Sequence, residues 1–244
     1  MEISLSAEKI IGIGTFPITN TLITTWLTMA ILGTFGFLAT KSIKMIPSGI
    51  QNFAEIVVEF LYNTVEDLAG STRAKRFFPI VATFFIFIIS ANYFGLLPGF
   101  NTIGFYENHL DGKVFIPFFR SVNSDLNVTL ALALISVAVT HYYSITTLGI
   151  IDYIKRYISL NPANLFVGLL EIVAEITKVL SLSFRLFGNI FAGEALLITM
   201  STLFAFILPL PFMFLELIVG FVQAAIFMML TLVFMVVLTE KTAH

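Results

Sequence analysis

Residues 179–200 read VLSLSFRLFGNIFAGEALLITM, an apolar run that holds two full charges, Arg185 and Glu194. The run belongs to a longer hydrophobic segment, 163–208, which starts after Asn161-Pro162 and ends at Pro209 and Pro211. As one helix it would extend ~69 Å at ~1.5 Å per residue, against a hydrocarbon thickness of ~30 Å. Even Val179 to Leu208 would give ~45 Å. Such a segment must break or lie steeply tilted. No proline interrupts it, so steep tilt is the expectation, beyond the ~20° usual for membrane helices.

The rest of the chain explains why a membrane is the solvent. Of 244 residues 58% are hydrophobic and 11% charged, with 27 phenylalanines, and the mean hydropathy is +0.97. A soluble fold of this size cannot hide that much apolar surface. Four further hydrophobic segments flank residues 163–208. A last hydrophobic helix is expected at 212–238, a first span at 10–40, a second at 77–97 closed by Pro98-Gly99, and a third at 125–151 opened by the capping pair Ser124-Asp125. Residues 48–70 differ: Phe53, Val57, Phe60, Leu61, Thr64 and Leu68 recur at helical spacing while Glu55, Glu59, Glu66 and Asp67 gather elsewhere, the pattern of a helix at the membrane surface or of an ordinary amphipathic connector. The expected fold is therefore all-α: a single polytopic membrane domain over 1–244. It has about five hydrophobic helices, the last two a long, steeply tilted hairpin, and one amphipathic surface helix.

Charge placement orients the spans. With the N-terminus outside, the inside loops hold Lys41, Lys44, Arg73, Lys75, Arg76, Lys155, Arg156 and Lys241, and the outside only Lys9, Lys113 and Arg120. The C-terminus then lies in the cytoplasm. Net charge is -2 without a basic run, which argues against nucleic acid as a partner. The chain has no cysteine, which excludes disulfides and thiol chemistry. Its first residues, MEISLSAEKI, have neither the basic start of a cleavable signal nor the Arg-rich pattern of a transit peptide.

Charges within membrane segments are costly and mark candidate functional sites. The last two segments carry Glu171, Glu175, Lys178, Arg185, Glu194 and Glu216, with Asn189 and Gln223. At about 100° per residue, Arg185, Asn189 and Lys178 share a face. Glu171 falls within ~40° of that face and ~21 Å away along the axis; Glu194 lies roughly 180° around and ~13 Å further toward the outside. Glu216 and Gln223, seven apart, share a face of the last helix. A buried carboxylate can take and release protons, whereas a guanidinium stays protonated. A cation between two offset acids suits two half-channels blocked from joining.

Plainer roles compete at each position. Arg185 is compatible with a buried ion pair, although apolar residues would hold helices together at less cost. Lys178 with Glu171 and Glu175 reads also as a helix-surface ion pair, and Glu216 as a first-turn acid in the outer headgroup region. Asn189 and Gln223 read as interhelical hydrogen-bond partners. Asp125 reads as a helix cap, His141 as a packed or interfacial residue, and Gly188 and Gly193 as points of close helix approach.

The run Ser181-Leu-Ser-Phe-Arg185-Leu-Phe-Gly188-Asn189-Ile-Phe-Ala-Gly193-Glu194 resembles the signature of the F-type ATP synthase a subunit family. Asn92-Tyr-Phe-Gly95-Leu-Leu-Pro98-Gly99 and Asp125-Leu-Asn127-Val-Thr-Leu-Ala-Leu-Ala-Leu134 resemble its second- and third-span motifs, and Gln223 falls at a polar position of its last helix. The resemblance covers about 79–240 by motif and the first 75 residues by hydropathy. It implies that Arg185 faces a rotating ring of c subunits. It implies that Asn189, Glu194, Glu216 and Gln223 line the external half-channel and that Glu171 stands at the cytoplasmic exit. Some members have histidine at the Glu216 position, and others pair histidine at the Glu194 position with an acid at the Glu216 position. Either of the two acids here can then hand the proton to the ring.

The resemblance further implies a non-catalytic, ion-translocating subunit in a bacterial plasma (inner) membrane, partnered by the c-subunit ring, the b subunits of the peripheral stalk, the remaining ATP synthase subunits and the lipid bilayer. No cofactor or metal is called for, and no P-loop of the G-x-x-x-x-G-K-S/T kind is present. A secondary transporter would use buried charges similarly, but usually with repeated halves and broken helices. A structural scaffold would not need Arg185 flanked by offset acids.

Overall fold

A computed structural model describes residues 7–13, 16–97, 99–100, 103–109, 112–157, 162–204 and 207–240. Pro98, Asn161 and Lys241, which the sequence reading used as a span end, a helix start and a cytoplasmic cation, lie outside the described residues. A short antiparallel hairpin, β1 (Lys9–Ile13) and β2 (Phe16–Thr19), leads into α1 (Asn20–Thr40). There follow α2 (Ile50–Ala69) and α3 (Ser71–Gly95), then a second antiparallel hairpin, β3 (Gly104–His109) and β4 (Gly112–Pro117). After a single 3-10 turn at Val122–Ser124 come α4 (Leu126–Leu148), α5 (Ile150–Tyr157), α6 (Pro162–Leu203) and α7 (Pro209–Thr239). Helix dominates, and among the described residues four helices are long and apolar enough to cross a membrane: α1, α3, α4 and α7. The charged α6, 42 residues long, is not among them; at ~1.5 Å per residue it extends ~63 Å. The chain is an all-α, multi-pass membrane protein.

Three boundaries differ from the sequence reading for local reasons. The apolar run that suggests a span from residue 10 is a hairpin as far as Thr19, whose side chain accepts from Leu22 N at 3.3 Å and caps α1. The third segment ends at Leu148, because Gly149 adopts φ 87°, a conformation that favours glycine, and the chain turns there into α5. The second span, α3, begins at Ser71, so Arg73, Lys75 and Arg76 stand on its first turns and not in a loop. Arg76 donates to Thr146 Oγ1 (2.6 Å) and Thr147 Oγ1 (3.2 Å) at the end of α4 and covers the Tyr143 ring at 5.1 Å.

One apolar cluster joins α2, α3, α4, α6 and α7. It includes Leu61 and Val65, Phe77, Phe84 and Ile88, Ala133, Leu182 and Leu186, and Phe227, Leu232 and Met235. Between helices that lipid would not press together, side-chain hydrogen bonds supplement packing: Ser136 with Thr231 (2.8 Å), Thr129 with Ser183 (3.2 Å), and Ser144 donating to the Leu238 carbonyl (2.7 Å). Asp125 caps α4 by accepting from Asn127 N (2.9 Å) and also accepts from Thr21 Oγ1 (2.8 Å), which ties α1 to α4. Both hairpins lie at this end of the bundle; α5 and the Arg73–Glu240 ion pair (3.5 Å) lie at the other. The apolar residues of α2 divide in two. Leu61, Val65 and Ala69 are buried against the protein, whereas Phe53, Ile56 and Phe60 are more than half exposed.

Candidate functional site

Arg185 stands near the middle of α6, half-buried, with its Nη2 donating to Ser181 Oγ at 3.1 Å one turn earlier. That hydroxyl is its only polar partner among the described residues. It lines an open cleft of about 470 Å³ with Lys178, Ser181, Leu182, Leu230 and Phe234. One turn beyond, the exposed Asn189 donates from Nδ2 to Gln223 Oε1 at 2.9 Å, a direct bond from α6 to α7. The structure therefore brings Arg185, Asn189 and Gln223 to the α6–α7 seam.

Glu194 and Glu216 come together deeper in the bundle at the hairpin end. Both line a small cavity of about 50 Å³ with Asn92, Gly95, Leu96 and Ser121, enough space for at least one water. Glu216 is only 7% exposed, so its carboxylate faces protein on most sides. It fits because position 193 has no side chain: a Cβ there would meet Glu216 Oε1 at 2.7 Å. Gly220 makes a similar approach to Asn92, whose Nδ2 donates to the Gly220 carbonyl (3.1 Å) while its Oδ1 accepts from Asn123 Nδ2 (2.7 Å). Gly188, in contrast, faces open space, so of Gly188 and Gly193 only the second marks a close approach.

Two residues of this cluster escape sequence reasoning. Arg120, which looks like a loop cation, is 7% exposed; its Nε donates to Ser124 Oγ (3.1 Å) and lies 4.0 Å from Glu194 Oε2. Glu8, just ahead of β1, faces the same groups. Burial raises its carboxyl above the usual carboxylate range, with the Arg120 guanidinium lowering it and Glu194 raising it. Only a polar residue close to a span end could have pointed to either.

Glu171 is far from this cluster, at the α5 end. Arg156 Nε reaches both of its oxygens, at 3.1 and 3.0 Å, so the partner of Glu171 comes from α5 and not from Lys178. Lys178 instead donates to Glu175 Oε1 at 2.7 Å and covers the Phe234 ring at 4.4 Å. Glu175 Oε2 faces His141 Nε2 on α4 at 3.6 Å, and His141 Nδ1 meets the Tyr153 hydroxyl on α5 at 3.1 Å. No group of three or more His, Asp or Glu side chains is placed to hold a metal among the described residues. The arrangement is thus two polar clusters at opposite ends of α6, with one cation between them on an open face.

The sequence model of the family described as ATP synthase A chain matches residues 22–236. The chain belongs to this family. Curated relatives agree over most of their length. "ATP synthase subunit a" of Moorella thermoacetica is 33% identical over 226 residues, 93% of each chain. "ATP synthase subunit a 1" of Pelobacter propionicus is 36% identical over 214 residues, 86% of this chain and 83% of its own. "ATP synthase subunit a" of Syntrophobacter fumaroxidans is 35% identical over 232 residues, 93% and 87% respectively. Members of the ATP synthase A chain family are parts of a complex, and in this member every charged side chain singled out in α6 and α7 belongs to one of the two clusters or to the seam.

Proposed function

We propose that this chain is the stationary proton-conducting subunit of an ATP synthase membrane sector, with two offset half-channels leading to and from a rotating c ring. The observation that carries this reading is Arg185: a permanent cation on an open helix face, midway between two polar clusters that the bundle keeps apart. A proton enters at the hairpin end, through Glu194, Glu216 and the Asn189–Gln223 seam, and neutralises a carboxylate on the ring. The neutral site can turn into lipid, which a charged one cannot do cheaply. After nearly a full turn it releases the proton toward Glu171 at the α5 end, and Arg185 attracts the bared carboxylate and blocks a direct path. Each proton crossing 100 mV releases about 2.3 kcal/mol, which drives rotation and so ATP synthesis; no ATP chemistry takes place on this chain.

The ring docks on the exposed side of α6, where Ile176, Leu180 and Phe184 lead up to Arg185, with α6 and α7 steeply inclined in the bilayer. The b subunits of the peripheral stalk complete the stationary assembly. Arg73, Arg76, Lys155 and Arg156 at the α5 end support a bacterial inner membrane topology with that end and the C-terminus cytoplasmic and the hairpins outside. ATP-driven acidification of inverted vesicles tests the reading with Arg185→Ala at matched assembly. Lost pumping in an intact complex is expected; undiminished pumping sinks it.

A further inference from the structure

The cleft that holds Arg185 continues into a polar chain that the mechanism above does not use. Lys178, on the cleft wall, donates to Glu175 Oε1 at 2.7 Å. That leaves Glu175 Oε2 turned toward His141 Nε2, at 3.6 Å, and His141 Nδ1 toward the Tyr153 hydroxyl, at 3.1 Å. Tyr153 in turn stacks edge-on with Tyr157, ring centroids 5.3 Å apart, at the end of α5. Three helices converge to build the chain, and none of its side chains is fully exposed. Glu171, by comparison, already has both oxygens engaged by the Arg156 guanidinium, a donor that does not give up its proton. A proton arriving at Glu171 has to displace Arg156. One arriving at Glu175 finds Oε1 held by Lys178 but Oε2 turned toward an imidazole.

We propose that Glu175, His141 and Tyr153 form a second exit limb for the proton, leading from the Arg185 cleft to the α5 end in parallel with Glu171. The proposal rests on the half-channel reading above. In the relay a proton taken up on Glu175 Oε2 passes to His141 Nε2. The Nδ1 proton moves in the same event to the Tyr153 oxygen, whose own proton leaves to water, and tautomer exchange of the ring and return of the hydroxyl reset the chain. Imidazole suits this role because it accepts at one nitrogen while releasing at the other and titrates near neutral pH. The charged and titratable groups facing His141 are Glu175 and Lys178 from α6 and Tyr153 and Arg156 from α5. Of the two carboxylates on or next to α7, Glu216 lies in the opposite cluster and Glu240 pairs with Arg73. Lys178 sets the geometry: by holding Oε1 it fixes which oxygen meets the ring.

The test is passive proton uptake, driven by a potassium diffusion potential, into inverted vesicles stripped of the soluble ATPase sector, measured across pH 5 to 8 at matched assembly. For His141→Gln the limb predicts a roughly twofold fall and loss of the pH-dependent component between those limits, while His141→Gln with Glu171→Gln falls by far more than the product of the single effects. A merely structural histidine would leave the shape of the pH profile unchanged. Tyr153→Phe, which keeps the ring contacts and removes only the hydroxyl, is the second variant and should show the same fall. Native rate and profile in assembled His141→Gln, or in Tyr153→Phe if the histidine variant does not assemble, overturn the proposal. Such a result with Arg185→Ala still abolishing pumping rejects the limb alone; pumping that survives Arg185→Ala rejects the half-channel reading beneath it.

Discussion

At Gly193 an added Cβ would lie 2.7 Å from Oε1 and 2.8 Å from Cδ of Glu216, so the backbone of α6 itself forms the wall that positions this acid. Gly193→Ala is expected to displace the carboxylate and lower ATP-driven acidification on the order of tenfold, because sub-ångström to ångström errors in proton-transfer geometry are expensive. Adding Glu216→Asp, one methylene shorter, should restore part of the loss, and an unaltered rate in Gly193→Ala would remove Glu216 from the path. Asn92 is a separate matter of stability. It bridges Asn123 and the Gly220 carbonyl while buried, so Asn92→Leu should cost about 1–3 kcal/mol through partners left unsatisfied, read as earlier thermal loss of the assembled complex. Arg185, Glu194 and Glu216 stand out in the sequence because a charge in an apolar run is costly. Arg120 and Arg156 are not, because each sits in a polar stretch where cations are common, and only the chain's path brings them to Glu194 and Glu171.

Helices α3, α4, α6 and α7 follow from apolar length and proline punctuation, which is why their existence can be read from the sequence. The β1–β2 hairpin cannot be read that way. No charge separates its residues from α1 after Lys9, and five- and four-residue strands offer too little alternation to set them apart; Pro17 and the Thr19 cap are the available signals. Helix α5 hides for a different reason, since eight residues are too few for a period. Its placement depends on one backbone angle. Gly149→Ala puts a side chain at φ 87°, ψ 156°, a region that essentially only glycine occupies, at a cost of about 1–3 kcal/mol, and α5 should loosen from α6. The native chain lacks cysteine, so spin labels attached through Ile154→Cys on α5 and Val173→Cys on α6, both exposed positions, report this without background. A broadened distance distribution in Gly149→Ala is expected, and an unchanged one would mean that α5 is held by its side chains alone.

Across the whole molecule, apolar surface is left in two places with different meanings. The outward Phe53, Ile56 and Phe60 of α2 suit the acyl boundary, and Phe60→Arg should raise hydrogen exchange of α2 in vesicles without touching the polar clusters, while the spans keep the chain in the membrane. The bare side of α6 is another kind of surface, since hydrocarbon satisfies Leu180 and Phe184 but not the guanidinium between them and Asn189. That face has a consequence in time as well as in space. On the docking proposed above, a newly made copy that inserts before its partner leaves this guanidinium facing lipid and is expected to be cleared by membrane proteolysis, which would make its lifetime a stoichiometry gauge. In cells unable to make the ring, pulse-labelled chain should decay several times faster than in normal cells, and Arg185→Leu should lengthen that lifetime even as it ends pumping.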